Sequence, residues 1–208
     1  MAQAPQRKQR LTQGERTARS DGRMYQAALE LICEGGAQNT TLKDIGERAG
    51  FSRGLASNRF GTKEQLFERL IIDFNTRWRT SITERVGEAY GVQALCIALD
   101  VVADFIRSDP ARMKAIYVLW FESVASHTNI RERLGRYHSA YRQDAAHWLQ
   151  QGMADGTVSN DIDPDVAAGE FLAFIFGAIY QWIVSPEEVI IVERLTAFKE
   201  TLEHRYAV

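Results

Sequence analysis

Residues 52–58 combine side chains that could bind a nucleic acid. An arginine can donate two parallel hydrogen bonds to a guanine edge, and an asparagine amide can pair with an adenine edge. Serine hydroxyls can donate to phosphate oxygens. A glycine on the same surface would let the helix backbone lie close to a duplex. The residues of these types in the segment are Ser52, Arg53, Gly54, Ser57 and Asn58. Their spacing predicts one polar helix face able to read double-stranded DNA.

Two short helices must position that face. Thr41 is a suitable N-cap for the first helix, and Gly50 allows a tight turn after it. The second helix is predicted from about Ser52 to Phe60. If Ala56 and Phe60 point inward, the polar residues point outward, as in a helix-turn-helix. An ordinary helical hairpin with a solvated polar face is the alternative interpretation.

The charge distribution is consistent with a polyanion partner at the N-terminal end. Residues 1–62 carry ten Lys and Arg against six Asp and Glu, a net charge of +4, and the remaining residues carry fifteen against twenty-one, a net charge of −6. A solvated basic tail would produce the same asymmetry. Helix N-termini near Thr41 and Lys63 would add N–H groups directed at phosphates. The predicted DNA-binding set is Thr41, Lys43, Ser52, Arg53, Gly54, Leu55, Ser57, Asn58, Arg59 and Lys63.

Hydrophobic periodicity predicts an all-α fold in three segments. Residues 1–20 lack an apolar period and are expected to form a flexible basic arm. Residues 21–67 form a three-helix, helix-turn-helix DNA-binding domain, and residues 68–208 form a helical bundle for ligand binding and dimerisation. Glycine stops, Asp-Pro pairs and capping boxes mark most helix ends. The predicted helices lie near 21–34, 41–49, 52–60, 63–86, 91–107, 110–127, 130–154, 164–184 and 187–205.

The helix predicted at 164–184 is apolar on two faces and therefore needs two packing partners. One partner is the core of its own domain. The other is either a second subunit or, in the alternative interpretation, the centre of a monomer. We favour a homodimer because DNA-binding proteins of this size commonly bind two half-sites. The predicted interface, which also includes the last helix, is Phe171, Phe174, Ile175, Ala178, Trp182, Ile191, Leu195, Phe198 and Leu202.

Aromatic side chains are concentrated in the middle helices. Such a stripe is either core or the lining of a pocket in which tyrosine hydroxyls act as polar anchors, and the two interpretations overlap. The histidines His127, His138 and His147 lack metal-ligand spacing, so we expect neither a metal nor a cofactor, and His138 is interpreted as structural or as a pocket edge. The predicted ligand-binding set is Phe105, Tyr117, Trp120, Phe121, Tyr137, Tyr141, Trp148 and Phe174.

Two motifs in the N-terminal part also resemble a known family. The segment TLKDIGERAGFS at residues 41–52, followed by FGTKEQLF at residues 60–67, resembles the DNA-binding domain of TetR/AcrR-type regulators. The resemblance implies a fold of nine or ten helices, a homodimer and DNA binding that a small molecule releases. It also implies DNA-facing roles at the matched positions Thr41, Ser52, Arg53, Ser57, Asn58 and Lys63. The family usually has a tyrosine at the position of Ser57, where it supports a phosphate contact, and Arg59 is an alternative source of that contact here.

Together these patterns predict a ligand-responsive repressor that binds a palindromic operator as a dimer and is released by an effector that is partly apolar or aromatic. Ligand binding would move the helix that begins at Lys63 and change the spacing of the two reading helices. The alternatives are an activator of the same fold and a helical ligand-binding protein without DNA binding.

Other classes of protein lack support in the sequence. It has no glycine-rich phosphate loop, HExxH motif, CxxC motif or nucleophile elbow, so we do not expect an enzyme. It has no run of about 18 apolar residues and no secretory signal, which predicts a cytoplasmic protein without a membrane span.

Overall fold

A computed structural model describes residues 12–125 and 129–208, apart from the side chain of Arg53. These residues form nine helices and one isolated β-bridge between Val158 and Ala207. The predicted all-α class is therefore confirmed. The helices are α1 (Gln13–Asn39), α2 (Leu42–Arg48), α3 (Arg53–Phe60), α4 (Lys63–Val86), α5 (Gly91–Ser108), α6 (Pro110–Val124), α7 (Asn129–Asp155), α8 (Pro164–Val184) and α9 (Ile191–Tyr206).

The chain forms two compact units, residues 1–66 and residues 67–208. In the first unit, α2 packs against both α1 and α3, and its centre includes the buried side chains of Met24, Ile45 and Phe60. In the second unit, α5 packs against α6, α7 and α9, while α8 packs against α7 and α9. Leu99 and Leu149 are fully buried there, so the unit has an apolar core of its own.

Helix α1 begins eight residues before the predicted start at Asp21. Thr12 and Glu15 form a capping box, in which the Thr12 N–H donates to Glu15 Oε2 over 2.7 Å and the Glu15 N–H donates to Thr12 Oγ1 over 3.2 Å. The prediction of an arm over residues 1–20 is thus wrong for residues 13–20, because a cap can start a helix where no apolar stripe is present. Residues 1–11 lie outside the described residues.

Glycine and capping signals placed most of the other helix ends correctly. The predicted stop near Gly35 and Gly36 corresponds to a break at Gly36, whose φ of 80° and ψ of 164° are favourable only for glycine. The capping box before α4 is also confirmed. The Thr62 N–H donates to Gln65 Oε1 over 2.9 Å, and the Gln65 N–H donates to Thr62 Oγ1 over 3.2 Å.

The last helix starts at Ile191 and not near residue 187 as predicted. Ser185, which was expected to cap α9, instead ends α8, because its N–H donates to the Gln181 carbonyl. The Ser185 carbonyl then accepts from the N–H groups of Glu188 and Val189 at 3.1 and 3.0 Å. This closes a separate turn before α9.

Among the described residues, α8 is the one helix that is long and apolar enough to cross a membrane by length and composition. The sequence criterion, an unbroken run of about 18 apolar residues, did not select this helix because polar residues such as Glu170 and Gln181 interrupt it. The helix nevertheless packs against α7 and α9 and buries Phe171, Leu172 and Ile175, as a core helix does. Only 39% of its most apolar window is buried, so much apolar surface on α8 remains uncovered in a single chain.

Candidate nucleic-acid interface and ligand cavity

The turn between α2 and α3 is held by backbone hydrogen bonds. Gly50 has a φ of +76°, which is the conformation that favours glycine. The Gly50 N–H donates to the Glu47 carbonyl over 3.0 Å, and the Phe51 N–H donates to the Gly46 carbonyl over 2.9 Å. Ile45 is fully buried beneath this turn. The two helices therefore have the fixed connection that a helix-turn-helix needs.

Helix α3 presents a small polar face to solvent. Ala56 and Phe60 are buried at 0% and 2% exposure, as the sequence predicts. Leu55 is half-buried, and the Arg53 side chain lies outside the described residues. The exposed residues of this segment that belong to the predicted DNA-binding set are Ser52, Gly54, Ser57 and Asn58. We call these four residues the α3 polar face.

Two features of the α3 polar face suit close contact with a large polar surface. Ser52 is the N-cap of α3, but its side chain makes no capping hydrogen bond. A Cβ atom added to Gly54 would meet nothing within 4 Å, so the fold itself does not require glycine at this position. The hydroxyl of Ser52 and the bare backbone at Gly54 thus have no structural role in the described part of the unit.

Thr41 and Lys43 lie at the start of α2, which packs against α3, and both are exposed. The Thr41 hydroxyl accepts from the Asp44 N–H over 3.2 Å and donates to Asp44 Oδ2 over 2.6 Å. Thr41 therefore caps α2, as predicted, and its oxygen keeps one lone pair, which can accept from a water molecule.

Two of the predicted phosphate ligands are used within the protein. Lys63 Nζ donates to the carbonyls of Ala37 and Gln38 over 3.1 and 3.0 Å. The Arg59 Nε atom lies 3.0 Å from Asp21 Oδ1 in a salt bridge. Lys63 thus holds the C-terminal end of α1 and Arg59 pairs with Asp21, and the phosphate contacts of both residues stay predictions. Neither interaction could be read from the helical pattern, because both join residues far apart in sequence.

The second unit contains an apolar cavity of about 40 Å³. Three of the eight predicted ligand-binding residues line it, namely Tyr117, Trp120 and Tyr141. Sequence reasoning missed most of the lining, although the aromatic pair Phe74 and Trp78, four residues apart on α4, was a usable signal. The missed residues are Phe74, Trp78, Val102, Met113, Leu172, Ile175, Phe176 and Ile179.

The other five predicted ligand-binding residues lie elsewhere in this unit. Phe105 packs edge-on against Phe74 and Trp78 at centroid distances of 5.8 and 5.7 Å. Trp148 lines a separate cavity of about 20 Å³, and Tyr137 is hydrogen-bonded to Arg133. The remaining two are Phe121, which is 55% exposed beside an open groove, and Phe174, which stacks on Phe198 at 3.5 Å. Helical spacing identified their faces but could not show which neighbour each face meets.

Some polar side-chain atoms around the cavity have a hydrogen-bond partner and others do not. The Tyr141 hydroxyl donates to Asn75 Oδ1 over 2.7 Å. In contrast, the buried Tyr117 hydroxyl, Trp120 Nε1 and His138 Nε2 atoms have no hydrogen-bond partner among the described residues. The Trp120 ring lies 5.0 Å from the Tyr117 ring and 4.9 Å from the His138 ring, centroid to centroid. His138 therefore packs against Trp120, which lines the cavity, without belonging to the lining itself.

Burial, together with the nearby Arg142 charge, lowers the pKa of His138 from 6.5 to about 4. The unfolded chain takes up this proton at a higher pH than the folded chain does. We therefore expect the free energy of unfolding contributed by this site to be constant above about pH 7 and to fall as the pH drops towards 4.

This linkage predicts a difference between two histidine variants. Between pH 7.5 and pH 4.5, the free energy of unfolding should fall by about 2 kcal/mol less in His138→Gln than in the unmodified chain. Urea denaturation at the two pH values measures the effect, and His147→Gln, at an exposed histidine on the same helix, is the control. Equal pH dependence in His138→Gln and the unmodified chain would show that His138 titrates normally.

Most residues predicted for a dimer interface are buried inside the protomer. Phe171, Ile175, Ala178, Ile191, Leu195 and Leu202 are at most 5% exposed, and Phe174, Trp182 and Phe198 are half-buried. The prediction used one of the two apolar stripes of α8, and the protein's own core already covers most of that stripe. The apolar surface left uncovered on α8 is a different face, which consists of Val166, Ala173, Gly177, Tyr180 and Val184. We call it the α8 outer face.

Nothing in the described residues resembles a metal centre, since they contain no cluster of three or more His, Cys, Asp or Glu side chains placed to hold an ion. Cys33 and Cys96 are half-buried and form no disulfide bond.

Comparison with known proteins agrees with this geometry. Residues 25–70 match the family described as bacterial regulatory proteins, tetR family. The chain is similar to the HTH-type transcriptional regulator SrpR of Pseudomonas putida, with 21% identity over 80% of this chain and 76% of that protein. It is also similar to the HTH-type transcriptional regulator BetI of Escherichia coli, with 30% identity over 49% of this chain and 53% of BetI.

The fold is likewise shared with solved structures. SmeT, the repressor of the Stenotrophomonas maltophilia multidrug efflux pump SmeDEF, superposes with a TM-score of 0.73 at 19% identity, covering 90% of each chain. The matched segment, residues 25–70, contains the whole of α2, α3 and the turn between them. The match to a non-enzymatic family also agrees with the lack of catalytic motifs. Residues 25–70 therefore form a DNA-binding domain of the tetR family of bacterial regulatory proteins, and the chain has the fold of such regulators.

Proposed function

We propose that this regulator is a cytoplasmic repressor, that it binds a palindromic operator as a homodimer, and that a small apolar or aromatic effector releases it. The observation that carries the DNA-binding part is the α3 polar face, which is exposed although the neighbouring Ala56 and Phe60 are buried. Serine hydroxyls, an asparagine amide and an uncovered glycine backbone are suited to phosphates and base edges.

The proposal of a homodimer is supported by the α8 outer face. Its residues recur at intervals of seven, four, three and four, so they lie on one side of the helix. Val166, Tyr180 and Val184 are 59%, 49% and 61% exposed, and the small residues Ala173 and Gly177 between them would allow close approach of a second helix. A second copy of the same face would cover this surface around a twofold axis.

Helix α4 offers a covalent connection between the two proposed sites. It begins at Lys63, which holds the end of α1, and its residues Phe74 and Trp78 line the cavity. An effector that changes the packing of those two rings would act on α4, the helix that directly follows α3 in the chain. The effector can shift the equilibrium only by its preference for one state, typically about 1–3 kcal/mol.

Selection from random duplex DNA tests the proposed function. We expect enrichment of a palindromic motif whose half-sites are about one helical turn apart. Enrichment of no motif, or of a motif without twofold symmetry, would contradict the proposal.

The enriched duplex allows a residue-level test. Asn58→Ala should weaken its binding by about 1–3 kcal/mol at matched salt and relax the preference at one base pair. Gln93→Ala, which changes an exposed amide in the other unit, is the control and should bind normally.

A transcription assay with the same duplex distinguishes repression from the alternative of activation. We expect the protein to reduce transcription from a promoter that contains the duplex. The similarity to SmeT, described as a repressor, favours this direction. Increased transcription would support an activator of the same fold.

A further inference from the structure

Three buried polar atoms on neighbouring side chains lack a hydrogen-bond partner among the described residues. They are the Tyr117 hydroxyl and Trp120 Nε1 on α6, and His138 Nε2 on α7. Unsatisfied buried polar groups are rare in folded proteins, and a group of them at one place indicates a missing partner. Phe176 of α8 completes the cluster, with its ring 5.8 Å from Trp120 and 4.8 Å from His138.

The hydrogen-bonding capacity of these groups restricts what the partner can be. The indole Nε1–H of Trp120 can only donate, so the partner must offer an acceptor. The lowered pKa of His138, about 4, makes its imidazole neutral at pH 7. Burial raises the pKa of Tyr117, so its hydroxyl keeps its proton. The cluster therefore presents one fixed donor and two neutral groups that can each donate or accept.

The cavity beside the cluster disfavours a charged partner. Tyr117 and Trp120 belong to its lining, and none of the described residues that line it carries a formal charge. An anion or a cation placed there would lose its hydration without gaining a counter-ion. The aromatic rings of Phe74, Trp78 and Phe176 offer an apolar and polarisable surface instead.

The cavity must enlarge before it can hold a ring system. Its volume of about 40 Å³ is far below that of typical ligand pockets, about 300–1,000 Å³. Tyr117 and Phe176 also line an open groove of about 670 Å³ between α6 and α8. Rotation of these two side chains would therefore join the cavity to the groove. The groove shares Gly177 and Tyr180 with the α8 outer face, so in the proposed dimer a partner subunit would cover that part of it.

We infer that the effector of the proposed repressor is an uncharged aromatic molecule whose hydrogen-bond acceptor meets the indole N–H of Trp120 beside Tyr117 and His138. The role of this molecule as an effector rests on the proposed function. Its chemical class rests on the three polar atoms and on the cavity lining. A cavity of this size could also hold ordered water on the three polar atoms, and the experiment separates the two occupants.

Isothermal titration of the full chain at pH 7.5 with three matched probes tests the inference. The probes 2-acetylnaphthalene, 2-isopropylnaphthalene and 2-naphthoate share one ring system and similar size, but they present a carbonyl acceptor, no polar atom and a carboxylate. We expect the ketone to bind at least about tenfold more tightly than the other two. Equal affinity for the ketone and the hydrocarbon, tightest binding of the carboxylate, or no binding of any probe would each overturn the inference.

Variants then locate the site. Trp120→Phe should lower the affinity for the ketone about tenfold more than the affinity for the hydrocarbon, since both probes lose the same ring contact but only the ketone loses the N–H donor. Trp148→Phe, which alters a tryptophan outside this cavity, should change neither affinity. If Trp120→Phe does not fold, as judged by circular dichroism, Tyr117→Phe replaces it with the same expectation. An unchanged preference for the ketone in the folded variant would overturn the inference.

Measuring duplex binding in the same preparation separates the two proposals. A chain that binds its selected duplex but none of the probes retains the proposed DNA binding and refutes the ligand class. A chain that binds the ketone but no duplex retains the ligand class and refutes the repressor.

Discussion

Gly54→Ala should weaken binding to the selected duplex by about 1–3 kcal/mol while making the protein more stable. Alanine is favoured over glycine in a helix by about 0.5–1 kcal/mol. The new methyl group meets nothing within 4 Å in the protein, so the fold gains this amount without a clash. On the proposed interface, however, the same methyl group would stand between α3 and the duplex.

Fluorescence anisotropy at fixed salt concentration and urea denaturation measure the two effects. Gly135→Ala is a matched control, because Gly135 is an exposed helical glycine in α7 that also has nothing within 4 Å of a built Cβ. It should share any gain in stability and leave DNA affinity unchanged. If Gly54→Ala is stabilised and still binds the duplex normally, Gly54 does not approach DNA.

Ala173→Glu should convert the protein to a monomer and reduce duplex affinity at least about a hundredfold. Ala173 is exposed near the centre of the α8 outer face, so the protomer can accommodate the longer side chain. In a twofold dimer the substitution would place two carboxylates close together in an apolar interface. A monomer then loses the gain, about 10² to 10⁴, that comes from holding two half-sites at once.

Sedimentation equilibrium and duplex titration test this expectation. Ala154→Glu introduces the same change at an exposed alanine near the end of α7 and should remain dimeric. A monomeric unmodified protein would refute the proposed dimer. A fully dimeric Ala173→Glu variant would place the interface on another surface.

Local signals in the sequence were sufficient for most of the fold. The Thr62–Gln65 capping box and the glycine at position 50 act within one turn of chain, so their effect does not depend on the rest of the molecule. The burial of Ala56 and Phe60 on α3 follows from helical periodicity in the same way. The order of the helices and the α3 polar face could therefore be predicted.

Features that depend on packing between distant segments could not be predicted. The salt bridge between Arg59 and Asp21 and the hydrogen bonds of Lys63 to the end of α1 use two basic residues that the sequence assigned to phosphate. Periodicity also gave two apolar faces for α8, but the core covers most of both, and the uncovered α8 outer face is a third one. The partnerless atoms of Trp120 and His138 are visible only when α6 and α7 are placed together.

The structure of the chain bound to its selected duplex is the most direct measurement of the central claim. We expect α3 to lie in the major groove, with Ser57 and Asn58 within hydrogen-bond distance of phosphates or base edges and with Gly54 against the duplex. A complex in which the duplex contacts another surface and the α3 polar face remains in solvent would contradict it.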